Sequence, residues 1–258
     1  MSCQGGAVSG RADRVLVKVN RAEQLLEELR QLIGVYAHQH FQPIPARLVV
    51  QPGGGYFQVD GPIPLYGHGP HAAVIGDVVH NLRSSLDHLA WQLVEANDGT
   101  PSDKPGEQTA FPIRDVRRKE LRIHGGVDPR ALKVIDDLQP YNVLPESPTD
   151  ADLWHLHRLD IVDKHHGLLL APVRHEAVMW GTPGVYEGQL VVERFVDDGA
   201  DYRFVPDRPT DTGARAETSL LVALGPGLPG ERLPVVTRLR ELLALVRDDI
   251  CTQLFSFL

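Results

Sequence analysis

Between Gly76 and Trp91 the sequence GDVVHNLRSSLDHLAW sets ionisable and hydrogen-bonding groups among leucines and valines more densely than a plain core helix requires. At helical spacing, His80, Arg83, Asp87 and Trp91 form one line, and Asn81, Ser84, Ser85 and His88 form a second beside it. Arg83 and Asp87, four residues apart, can pair, whereas Arg83 and His88 stand about 140° apart around the axis. A guanidinium offers a planar charged fork that fits a phosphate. An imidazole titrates near neutrality and can act as general acid or base. The same residues also suit a buried polar network, in which Arg83 and Asp87 hold this helix to a neighbour and His80 and His88 are hydrogen-bonded inside it.

A second concentration lies at residues 154–166, WHLHRLDIVDKHH, which carries His155, His157, His165 and His166 with Asp160 and Asp163. His157, Asp160 and Asp163 follow one another at steps of three and share a face. Lys164 and His165 fall where a helix C-terminus favours positive charge. Histidines and carboxylates at such spacing are what a metal site in a helical bundle requires. If a divalent ion is held, His80, Asp87, Asp160, Asp163 and His166 are the candidate ligands. No Glu-x-x-His pair is present, so a ferritin-type di-iron site is disfavoured, and neither a metal nor another cofactor is expected. In the plainer alternative Asp163 and Lys164 bridge helices and the histidine pair is exposed. Residues 117–122 add a short basic run, Arg117, Arg118, Lys119 and Arg122, which is either a solvated helix face or a contact for an RNA backbone.

Composition limits the classes of function. Lys and Arg total 26 against 34 Asp and Glu, a formal charge of −8, so the basic footprint of a general nucleic-acid binder is missing. Cys3 and Cys251 lie near opposite ends and match no metal or redox spacing, which argues against a disulfide scaffold and for a reducing compartment. The first residues, MSCQGG, show no basic region followed by an apolar run. No apolar stretch approaches the roughly 20 residues of a membrane helix. A cytoplasmic protein without membrane association is expected.

The elements that must position these groups follow from periodicity. Val15, Val19, Ala22, Leu25, Leu29 and Leu32 predict an amphipathic helix from Asp13 to about His38. Ile75, Val79, Leu82, Leu86, Leu89 and Leu93 predict a second from about Pro70 to Asn97. Asp128-Pro129 supplies an N-cap and a first-turn proline for a third, ending near Gln139-Pro140. Thr149 with Asp152 resembles a capping box opening a fourth. Residues 46–60 read as a β-hairpin and 174–225 as a β-rich part. Residues 1–12 read as a flexible tail, and a closing helix spans 233–258. The expectation is a single α+β domain over 1–258, with a helical-bundle core (mainly 13–173) and a small, mainly antiparallel β-sheet contributed by two insertions.

The segment Arg83-Ser-Ser-Leu-Asp-His88 resembles the Arg-x4-His motif of the HEPN superfamily. The likeness covers about the span 76–91. The wider pattern, GDxxHNLRSxLDHLAW with a later Asp-Lys-His, also resembles a bacterial protein family, a likeness that implies no particular activity. The HEPN resemblance implies a helical bundle, a homodimer in which Arg and His of two protomers converge, and a metal-independent endoribonuclease of toxin or defence type. Arg83 and His88 would then be catalytic, with His80, Asn81, Ser84, Asp87, Asp163, Lys164 and His165 supporting them and RNA as partner. Two other readings stand beside it. One is a non-catalytic binding or assembly module with a structural polar helix network, and the other a metal-dependent helical-bundle enzyme.

Overall fold

Apolar residues at three- and four-residue spacing build the packed layers of the described residues. A computed structural model describes, side chains included, residues 10–35, 71–117, 120–165, 224, 228–230 and 234–258. The long helices are α1 (Gly5–His40) and α2 (Pro70–Ala96). After them come α3 (Pro129–Asp137), the short α4 (Pro140–Val143), α5 (Asp152–His165) and α6 (Val235–Ala244). Helix α6 runs on through a π-helical turn, Leu245–Cys251, into α7 (Thr252–Leu254).

The α+β expectation is overturned. Of the described residues 71% are helical, and no strand or sheet is found among them. Helix packs on helix throughout: Val15, Val19, Ala22 and Leu29 of α1, Ile75, Leu82, Leu86 and Leu89 of α2, Leu156 of α5 and Leu239 and Leu242 of α6 are all fully buried in one core. Removing such leucines from water contributes about 1.5–3 kcal/mol each, which is why the stripes dominate the architecture. The expected hairpin at 46–60 and the β-rich part at 174–225, Leu224 apart, lie outside the described residues, so the sheet finds no support in the core. Leu224 itself is buried against the helices.

Helix boundaries differ from expectation where tertiary contacts intervene. Helix α1 starts ahead of Asp13 because Arg11 donates to the Leu258 carbonyl (3.2 Å) and Ala12 packs on the core. Asp128 caps α3 as expected, its side chain accepting from the Arg130 amide with Pro129 in the first turn. Thr149 opens no helix. Pro148–Asp150 form a 3-10 turn, and Ala151 is extended before α5 begins at Asp152.

The excursion between α2 and α3 is tied at its base. A Cβ at Gly99 would run into the Gly125 carbonyl and Val94, and Gly125, at φ +94, sits against Val94 and the Thr100 carbonyl. Within it, Thr109 bridges Ser102 and His124, donating to the His124 carbonyl (2.9 Å) and accepting from the Ser102 amide (3.1 Å). Fully buried Phe111 then plugs the core, and the buried Gln139 amide donates to the Pro112 carbonyl (2.9 Å) and accepts from the Arg114 amide (3.0 Å). These bonds replace the strand or helix ladder that a buried backbone segment otherwise needs.

Candidate functional site on the seam between helices α2 and α5

The two polar concentrations of the sequence face each other. Along the seam, Gly76 meets Asp163, His80 meets Asp160, and the charges of Arg83 and Asp87 act on His157. Residues 157, 160 and 163 fall on one face of α5, as their spacing requires. The seam is thus a ladder of ionisable groups running from the buried bundle centre to its rim.

At the inner rung, Arg83 is 9% exposed. Its Nη1 donates to Asp87 Oδ1 (2.7 Å) and its Nη2 to the Phe111 carbonyl (3.0 Å). Asp87 Oδ1 also accepts from the Phe111 amide (2.9 Å). The i,i+4 pair therefore clasps both polar groups of one buried residue, and a charged partner strengthens each bond. His157 stands beside it, its Nδ1 buried without a hydrogen-bond partner. Burial first, and then Arg83, hold its pKa below the ordinary value, so the ring stays neutral. Asp163 lies farther along the seam, against Gly76, and His157 is the α5 residue on which the Arg83 charge acts.

At the outer rung, Asp160 is 5% exposed and divides its oxygens. Oδ1 lies 3.4 Å from His80 Nδ1 and Oδ2 accepts from Lys164 Nζ (2.7 Å). His80 itself is 47% exposed. A Cβ at position 76 would strike the Asp163 carboxylate, so glycine is what lets that group seat on the helix backbone. Burial, then the negative charges of Asp160 and Asp77, raise the Asp163 pKa, while His80 and Lys164 partly offset them.

The remaining candidates are dispersed. His88 is exposed, Ser84 half-buried, and Asn81 donates to the Asp77 carbonyl (2.7 Å) on the outer face of α2. His165 is exposed at the end of α5, and His166 lies outside the described residues. Of the basic run, Arg117 and Arg122 lie in loop, not helix: Arg117 pairs with Asp136 and lies over the Tyr141 ring, and Arg122 pairs with Glu120. Arg118 and Lys119 are outside the described residues. Among the described residues no group of three His, Cys, Asp or Glu side chains is arranged to hold a metal ion. Lys164 takes one of the Asp160 oxygens that such an ion would use. Cys251 is buried, its thiol pushed up to about 12, which leaves it inert. No helix among the described residues is long and apolar enough to cross a membrane.

Sequence reasoning missed a second buried arginine. Arg238, 4% exposed, donates to Asp152 (2.8 Å) and Glu241 (3.0 Å) and lies 2.6 Å from His155 Nδ1. Its position between Val235 and Leu242 on the buried stripe of α6 was the available signal. Comparison with family models, with curated proteins and with solved structures returns no match for this chain.

Proposed function

We propose that the protein is a HEPN-like, metal-independent endoribonuclease that works as a homodimer, with the face of α2 carrying His80, Asn81, Ser84 and His88 turned toward RNA. The observation behind this reading is that two imidazoles on α2, half-exposed His80 and exposed His88, reach solvent on either side of buried Arg83. Acid–base groups on a rigid helix are preorganised for proton transfer. Arg83, bound to Asp87 and Phe111, supports that face from behind rather than offering a free fork to phosphate. The test is incubation of the purified chain with single-stranded RNA in the presence of a chelator, with the oligomeric state measured by light scattering. Cleavage that survives chelation and falls at least about 100-fold in His88→Ala supports the reading. Intact RNA, or cleavage that chelation stops, overturns it.

A second reading, a non-catalytic binding or assembly module, is favoured by the Arg83 clasp itself. Arg83 and Asp87 bond to each other and to the Phe111 backbone, as a structural network would have them. A dimer that leaves RNA intact would favour it.

A further inference from the structure

We propose that Arg238 and His155 form an acid-released latch, which fastens the start of α6 to the start of α5 and lets it go when the imidazole takes a proton. The latch is independent of whether the chain cleaves RNA. A guanidinium keeps its charge at every accessible pH and only donates hydrogen bonds. The Nη1 of buried Arg238 donates to Glu241 (3.0 Å), and its Nη2 serves both Asp152 (2.8 Å) and His155 Nδ1 (2.6 Å). Facing a group that has nothing but donors, His155 Nδ1 must be a bare lone pair. The ring is therefore neutral, with its proton on Nε2. The Nε of Arg238 is buried with no hydrogen-bond partner, so the guanidinium is already short of acceptors. Gly230, at φ +79, lies against the arginine stem, where a Cβ would stand 3.2 Å from both Cγ and Cδ.

A proton on Nδ1 removes the acceptor and leaves two cations in contact. The imidazolium also becomes a rival partner for Asp152, three residues before it on the same helix. The other groups acting on the ring are Asp150 of the 3-10 turn and the Thr149 backbone, which with Asp152 favour its charged form. Burial and Arg238 oppose them and prevail, holding the His155 pKa below 6.5. Asp152 and Glu241 are half-exposed and reach water wherever the arginine lies, whereas Arg238 reaches it only by leaving its place. Arg238 is thus the group that moves, and the Gly230 turn and the first turns of α6 move with it. Since the neutral ring is the one that fits, the latch is closed above about pH 6.5 and opens as the pH falls through the lowered folded value. Leu239 and Leu242 keep the apolar side of α6 in the core, so the opening is local.

Three measurements test the latch on the full-length chain. At about pH 7.5, long-range nitrogen–proton NMR should find His155 protonated on Nε2, and an Nδ1–H ring overturns the proposal. Hydrogen exchange, corrected for intrinsic rates, is then compared at about pH 7.5 and about pH 5 on peptides from α6 and, as reference, from α2. Protection in α6 should fall at least about tenfold further than in α2. An equal change in both is global loosening and overturns the latch. In folded His155→Gln the amide oxygen still accepts from Arg238 but takes no proton, so the α6-specific fall should vanish. Its persistence there shows that His155 is not the trigger. Last, Arg238→Met should raise the midpoint of the His155 titration followed by ring NMR, and an unchanged midpoint overturns the part assigned to the guanidinium.

Discussion

The two rungs of the α2–α5 seam use similar residue types within a few residues of each other, yet they are built for different ends. At Arg83 and Asp87 both charges are bound to each other and to the Phe111 backbone, and the arginine side chain is nearly buried. At His80 and Asp160 the carboxylate is the more deeply buried of the two, but the ring it faces stands half in solvent. The contrast teaches that residue spacing marks a polar seam without saying which of its members are free. What separates clasp from open site is a backbone segment distant in sequence, residues 109–114, that closes over one end and not the other.

The sharpest test of this contrast is stability. Arg83→Met leaves the Asp87 carboxylate and the Phe111 carbonyl short of a donor, and unfolding in denaturant should show a loss of about 2–3 kcal/mol. The partial exposure of Asp87 keeps this below the cost of breaking a fully buried pair. A double-mutant cycle with Asp87→Asn should show strong coupling. If Arg83→Met unfolds like the wild type, the clasp is not structural and the two rungs are alike.

Acid should expose a second, intermediate effect. Burial, with Arg83 for His157 and Arg238 for His155, lowers both pKa values below 6.5 in the folded chain. The unfolded chain therefore binds more protons, and stability rises with pH across this range. The contribution is fully present above about pH 6.5 and is lost as the pH falls through the depressed folded values. Melting temperature should drop between pH 7.5 and 5, and His155→Gln should flatten that drop. An unchanged acid slope in the variant would remove His155 from the account.

The smallest effect belongs to the open rung. His80→Gln removes a half-exposed ring with one long contact, so its stability should stay within about 0.5 kcal/mol of the wild type. A loss as large as that of Arg83→Met would make His80 a second clasp.

Much of this arrangement was legible in the residues. The apolar stripes of α1 and α2, the Asp128 cap and the Arg83–Asp87 pairing all follow from spacing within one helix, where neighbours in space are neighbours in sequence. The facing of His157, Asp160 and Asp163 toward α2 was half legible, since their shared side could be read but not their partners. The Phe111 carbonyl and amide that bind Arg83 and Asp87 carried no signal, because backbone groups look alike at every position. Alternating runs near 46–60 and 176–224 led to a sheet that the described residues do not contain. Short apolar runs are ambiguous between states, and periodicity alone does not say whether they join the core.

The excursion after α2 is pinched at its base by the close approach of Gly99 to Gly125, and farther out the Thr109 amide, bonded to the Ser102 carbonyl, closes its tip into a nearly independent loop. Lengthening an already closed loop carries little entropic cost, about 0.6 kcal/mol for each doubling. The exposed turn at 103–107 should therefore accept an inserted peptide with Phe111 still seated and the seam undisturbed. Alanine at Gly99 would force the pinch apart against a carbonyl, and the same insertion would then strain the Phe111 plug directly. The pinch is thus a mechanical fuse, isolating the seam from changes at the loop tip for as long as both glycines remain.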